Sequence, residues 1–286
     1  MARLTDPEDA IGLCVDGSIS PEVALCRLLL GGADAAAIRA MLRARPCEPL
    51  QRLLEARETQ IDGLAAQVRR TSGNHAAMVD AEKPDFSRVA AFFDGAVAHS
   101  PEASVALYSL GDPEILAAAT AEIVDWLSDQ DLLGPDHDVL DLGCGVGRVA
   151  SALAPRCRSV LGLDVSAGMV LEARRRCGGL AGVRFEVTSG RDLEALASGS
   201  LDLILAVDSF PYVIQGGASV IDAHLAGAAR ALRDGGALAV LNWSYGREPE
   251  AAELEGLCAR HGLALAAGGR PFRIWDARAF VLRPGA

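Results

Sequence analysis

Three carboxylates and a run of glycines are the groups in this 286-residue chain best placed to do chemistry. Asp141 lies inside Val139-Leu140-Asp141-Leu142-Gly143-Cys144-Gly145-Val146-Gly147-Arg148, two residues before the first glycine. Asp164 and Asp208 each follow a short apolar run, Val160 to Leu163 and Leu201 to Val207. Glycines at 143, 145 and 147 let the chain turn sharply and let a ligand approach the backbone. The helical pattern that starts at Arg148 then presents backbone N–H groups at a helix N-terminus. A strand, a glycine loop and a helix can hold a dinucleotide, but that fingerprint is G-x-G-x-x-G and the spacing here is G-x-G-x-G. A carboxylate beside the loop would also repel a pyrophosphate. It suits a ligand that carries an ammonium group and a sulfonium centre.

These ten residues closely resemble motif I of the class I S-adenosylmethionine (SAM)-dependent methyltransferases, and the resemblance covers about residues 85–286. It implies an α/β fold: a Rossmann-like sheet of seven mostly parallel strands, the last one antiparallel. It also implies SAM as methyl donor and S-adenosylhomocysteine (SAH) as product. Asp141, Gly143, Cys144, Gly145 and Gly147 would then form the donor cradle. Asp164, about twenty residues beyond the first glycine, would take the ribose hydroxyls. Val165 and Met169 would pack near the adenine, although Met169 reads equally well as plain core. Ser189 stands where many relatives have an aspartate, which leaves Gly190 and Arg191 to meet the adenine edge through their backbone. Asp192 would substitute for the aspartate or cap a helix. Tyr108 would reach the amino-acid end of the donor.

The same resemblance puts Asp208 where donor and acceptor meet. Asp208, Tyr212 and His99 are the candidate catalytic groups, and Phe210, Tyr212, Trp243 and Tyr245 would line the acceptor side. His224 reads as a surface or core histidine. The expected reaction is in-line transfer of the sulfonium methyl to an O, N, C or S nucleophile of a small molecule. Two other classes remain open, a non-catalytic SAM-binding or interaction protein and a nicotinamide-dependent oxidoreductase; Asp141 and the glycine spacing disfavour the second.

The elements that must position these residues follow from periodicity. From Val139 the pattern alternates: strand 139–142, helix 147–155, strand 159–163, helix 167–177, strand 183–187 and a short helix near 192–197. Strand 201–207, helix 218–232, strand 237–242 and helix 249–261 continue it, and extended pieces near 263–267 and 277–282 end it. Repeated β-α units imply a parallel sheet with right-handed crossovers. Ahead of them, Ser87 to Val97 carries Phe92 and Phe93 on a helix, and Asp112-Pro113 opens another through Leu127. Residues 1–72 read as helices only, at 7–15, 23–30, after Asp34 and over 48–70, with residues 73–85 as a linker and 86–286 as the second domain. This helical appendage would serve dimerisation, act as a lid or simply pack.

A net charge of −11 disfavours a general nucleic-acid binder, which needs a basic surface to displace counterions. Seven cysteines without a C-x-x-C pair or a zinc spacing read as reduced core thiols of a cytoplasmic protein, with no metal. No apolar run reaches the length of a membrane span, and residues 1–6 do not read as a signal peptide.

Overall fold

The computed structural model describes residues 7–65, 78–99, 109, 112–245, 249–275 and 277–285. The chain divides into two compact units. The first is Met1–Ala76 with Ala106–Glu122 and Phe272–Asp276; the second is Ala77–Val105, Ile123–Pro271 and Ala277–Ala286.

Helices build the first unit: α1 (Pro7–Val15), α2 (Pro21–Leu30), α3 (Ala35–Ala44) and α4 (Glu48–Ala56). Ser20 and Asp34 cap α2 and α3 by accepting the Val23 and Ala37 amides at 3.3 and 2.8 Å. The helix expected over 48–70 is interrupted, because α4 ends in a turn at 57–60 and helix resumes at Ile61; residues 66–70 lie outside the described ones. At that turn Arg57 pairs with Asp112 at 3.0 Å. Ile11, Leu25, Leu28, Leu29, Ile38 and Leu50 are fully buried. Trp275 joins this unit, edge-on to Phe272, while Glu122 accepts the backbone N–H groups of Arg273 and Ile274.

The second unit is built on a seven-stranded sheet: β1 (Asp138–Leu142), β2 (Ser159–Asp164), β3 (Val183–Val187), β4 (Leu201–Val207), β5 (Leu232–Leu241), β6 (Leu263–Gly269) and β7 (Ala279–Pro284). The order is β3-β2-β1-β4-β5-β7-β6, with β7 antiparallel to both neighbours. β1 and β4 are almost wholly buried, as their mainly apolar sequences require of central strands. The chain runs outward from β1 to β3, then returns to the other side of β1 with β4. Strand order therefore reverses between β1 and β4, the position at which open α/β sheets form a ligand crevice.

The helices of this unit are α5 (Ser87–His99), α6 (Pro113–Asp129, whose residues through Glu122 belong to the first unit), α7 (Arg148–Leu153), α8 (Ala167–Cys177), α9 (Phe210–Gln215), α10 (Ala218–Ala231) and α11 (Ala251–Ala259). Three of them or their neighbours differ from the sequence reading. No helix forms at 192–197, because the Arg230 guanidinium takes the Leu193 carbonyl, at 2.9 Å, that a helical amide would need, and holds the Leu196 carbonyl at 2.6 Å. α9 forms between the strand at 201–207 and the helix at 218–232, where the sequence reading assigns no element, with Pro211 in its first turn. β5 starts at Leu232, five residues early, and absorbs the glycine turn as a bulge: Leu201 pairs with Leu232 but Leu203 with Ala237. Part of the expected linker also belongs to the core, since Met78 and Val79 are buried and the Gln215 side chain accepts the Met78 amide at 2.7 Å. All seven cysteines are free thiols, and only Cys157 is more than slightly exposed. Among the described residues no helix is long and apolar enough to cross a membrane.

Candidate functional site

β1 ends in the glycine loop, and the loop folds back on the end of β2. The Gly143 and Cys144 amides both donate to the Leu163 carbonyl, at 2.7 and 3.0 Å. Gly143 has φ +77°, and a Cβ there would overlap the Ser209 side chain, so only glycine suits the position. Ser209 in turn donates its hydroxyl to the Leu142 carbonyl. The ends of β1, β2 and β4 are thereby stitched together at the point where strand order reverses. Cys144 is buried against Gly162, and burial pushes its thiol well above the usual range.

Asp141 is 1% exposed, and its Oδ2 accepts the Ala150 amide at 3.1 Å. Gly147 begins α7 without a side-chain cap, so a carboxylate from β1 serves that helix instead. Burial pushes Asp141 up to about 7, against the pull of Arg148 and the Ala150 amide, and Asp164 adds to the rise. Asp164 ends β2 with both oxygens in use: Oδ2 accepts the Gly145 amide and Oδ1 the Ser166 amide, each at 2.9 Å. Its pKa is also raised, first by burial, while the amides of Ser166, Gly145 and Val165 pull it down.

Beyond Asp164, Met169 is buried with Val97, Val146 and Phe93. Gly190 lies so close to Val165 that a Cβ would come within 2.7 Å of its Cγ1. Asp192 bonds locally, accepting the Glu194 amide at 3.0 Å, and the Arg191 amide donates to Ser189 at 3.3 Å. His224 is core: 2% exposed, with its Nδ1 2.9 Å from the Val220 carbonyl and its pKa lowered by burial.

The ends of β4 and β5 form the other half of the site. Asp208 and Asn242 follow adjacent strands, and both hold left-handed backbone, with φ +56° and +74°. Non-glycine residues rarely do so, and such strain gathers at functional sites. Asn242 Nδ2 donates to Asp208 Oδ1 at 2.8 Å, and the Tyr245 hydroxyl donates to the Asp208 carbonyl at 3.2 Å. Tyr212 stands edge-on to Phe93 and to Tyr245, at 5.8 and 5.7 Å between ring centres. Burial raises its phenol pKa, a hydrogen bond with Tyr245 opposes the rise, and the charges of Asp208 and Asp164 add to it. Phe210 and Trp243 pack behind this wall in the core, 1% and 5% exposed, with Phe280. Tyr108 lies outside the described residues, as does the His99 side chain.

Sequence reasoning missed one member of the site. Asp94 on α5 accepts the Ser166 hydroxyl at 2.6 Å and the Gly168 amide at 2.8 Å. No local motif marks it, since its partners lie 72 and 74 positions away.

Residues 139–236 match the family model of a methyltransferase domain. The chain is 36% identical over 111 residues to a demethylmenaquinone methyltransferase of Tropheryma whipplei, which covers 39% of this chain and 44% of that protein. It is 42% identical over 72 residues to a trans-aconitate 2-methyltransferase of Methylobacterium nodulans, covering 24% and 28%. The chain thus spans less than half the length of these curated relatives. A solved structure of magnesium protoporphyrin IX methyltransferase from Synechocystis, with bound SAM, is 23% identical at a TM-score of 0.46, covering 62% of this chain and 83% of that one. Residues 139–236, with the glycine loop and Asp164 inside them, are thus similar to a methyltransferase domain.

Proposed function

We propose that the chain transfers a methyl group from SAM to a small-molecule acceptor. The observation that carries this reading is the bond between Asp164 and the Gly145 amide, which closes the glycine loop around the ribose-type carboxylate. The donor set fits SAM. Two buried carboxylates, Asp141 and Asp164, flank a loop of backbone N–H groups, which suits a diol and a cation and repels a pyrophosphate. Asp164 would hold the ribose hydroxyls, and the loop from Gly143 to Gly147 would hold the amino-acid portion. When bound, SAM supplies a methyl group on a sulfonium centre.

The remaining work falls to the chain. Tyr212, protonated and fixed between Phe93 and Tyr245, would orient an acceptor through its hydroxyl. Asp208, held by Asn242, would take up the acceptor's proton where one is released. Aromatic walls exclude water and let alignment supply most of the rate enhancement.

Calorimetry with SAM and SAH tests the donor half. Both should bind, and Asp164→Ala should weaken binding about 10- to 100-fold, the worth of charge-assisted hydrogen bonds. No heat from folded protein at high ligand concentration would overturn the reading. Tyr212→Phe tests the acceptor half. It should lower kcat/KM about tenfold and leave SAM affinity unchanged, read as SAH release with an acceptor from a metabolite extract.

A further inference from the structure

We propose that Asp94 is a positioning residue for the methyl donor: by bridging α5 to the turn after β2, it fixes the direction of the Asp164 carboxylate. This rests on the reading of Asp164 as the ribose-binding group. One oxygen of Asp94 accepts from both the Ser166 hydroxyl and the Gly168 amide, at 2.6 and 2.8 Å. Ser166 is the hinge of the arrangement. Its hydroxyl oxygen caps α8 by accepting the Met169 amide at 3.0 Å, and its own amide donates to Asp164 Oδ1 at 2.9 Å. The other Asp164 oxygen is held by the glycine loop. A line of hydrogen bonds therefore runs from α5 through Ser166 to the carboxylate.

The approach is close. A Cβ on Gly168 would sit 2.9 Å from Asp94 Oδ1 and 3.0 Å from Val97 Cγ1, so this glycine admits α5 to the turn. An N-cap needs only one oxygen, and Ser166 already provides it; Asp94 is an additional constraint on a cap that is complete without it. It also brings a negative charge toward Asp164, a cost that an asparagine in the same place would avoid. A second carboxylate is understandable where the ligand carries net positive charge. One residue earlier on α5, Phe93 packs against the cluster of Val97, Val146 and Met169 on the donor side and meets Tyr212 on the acceptor side. Fixing α5 thus sets both walls.

Calorimetry on the full chain, with SAH and its 2′-deoxy counterpart, tests this. The wild type should prefer SAH, since Asp164 grips the diol. Asp94→Ala should weaken SAH binding about tenfold and shrink that preference, because a misdirected carboxylate loses the diol first. Asp94→Asn keeps an acceptor oxygen and should bind within about twofold of wild type. Gly168→Ala, which pushes α5 away, should reproduce the alanine variant and decides the matter if Asp94→Ala does not fold. Wild-type affinity in Asp94→Ala, or an equal loss for both ligands in either Asp94→Ala or Gly168→Ala, would overturn the proposal. A wild type that binds neither ligand would instead overturn the donor reading beneath it.

Discussion

A carboxylate removed from water holds its proton more tightly, and Asp141 carries that cost in the folded chain. Its pKa of about 7 lies above the unfolded value of 3.8. The groups that face it are Arg148 and the Ala150 amide, which favour the charge, and Asp164, which opposes it. Between these two pKa values the folded state binds more protons than the unfolded state, so this group's contribution to stability is present below about pH 4 and lost as pH rises through 7. Chemical denaturation from pH 4 to 8 should show Asp141→Asn losing that dependence relative to wild type, by at most about 1.4 kcal/mol per pH unit. An unchanged difference across the range would remove Asp141 from the account. That Asp141, Asp164 and the glycine loop come together could be read from the sequence, because they lie within one strand–loop–helix–strand unit. Asp94 could not, because its meaning comes only from a helix brought against a turn 72 residues later.

Elements tell the same story at a longer reach. Strands β3 and β4 and helix α8 fall on the boundaries their patterns predict: β4 buries a run and α8 one face, while β3 buries only Phe185. The failures occur where a distant side chain decides the backbone. Arg230 unwinds the stretch at 192–197, and pairing with β4 draws residues 232–236 into β5. α9 was hidden because an aromatic-proline-aromatic run resembles a loop until its apolar side chains find a core. Two glycines with positive φ, one in the sheet and one in the loop that follows β1, should behave differently on substitution. Gly235, with φ +80° and open space where a Cβ would go, lies in the β5 bulge; Gly143, with φ +77°, faces Ser209. Gly235→Ala should cost about 1 kcal/mol, from backbone strain alone. Gly143→Ala should cost more than about 2 kcal/mol, because overpacking adds to the strain. Urea melts of the two variants check this, and equal costs would contradict the structural distinction.

At the scale of the whole molecule, the helical character of residues 7–56 was legible, but the recruitment of two distant segments into their unit was not. Nothing in the local sequence of 112–122 or 272–275 tells that Arg57 will pair with Asp112, or that the Ser20 amide will donate to the Arg273 carbonyl at 2.8 Å. We expect removal of residues 1–72 to strip these two segments of their partners. The truncated chain should melt lower and aggregate more than the full chain, measured by scattering during a thermal ramp; an unchanged melting profile would show that the segments stand without the helices. The sheet imposes an order of assembly as well. β6 touches the rest of the sheet only through β7, which is synthesised after it and must slide between β6 and β5. As the ribosome emits the polypeptide, β5 therefore waits with a bare hydrogen-bonding edge and β6 waits with no strand partner. Nascent chains released before Ala279 would keep that edge open to other chains, so a chain that stops short of β7 should aggregate through it.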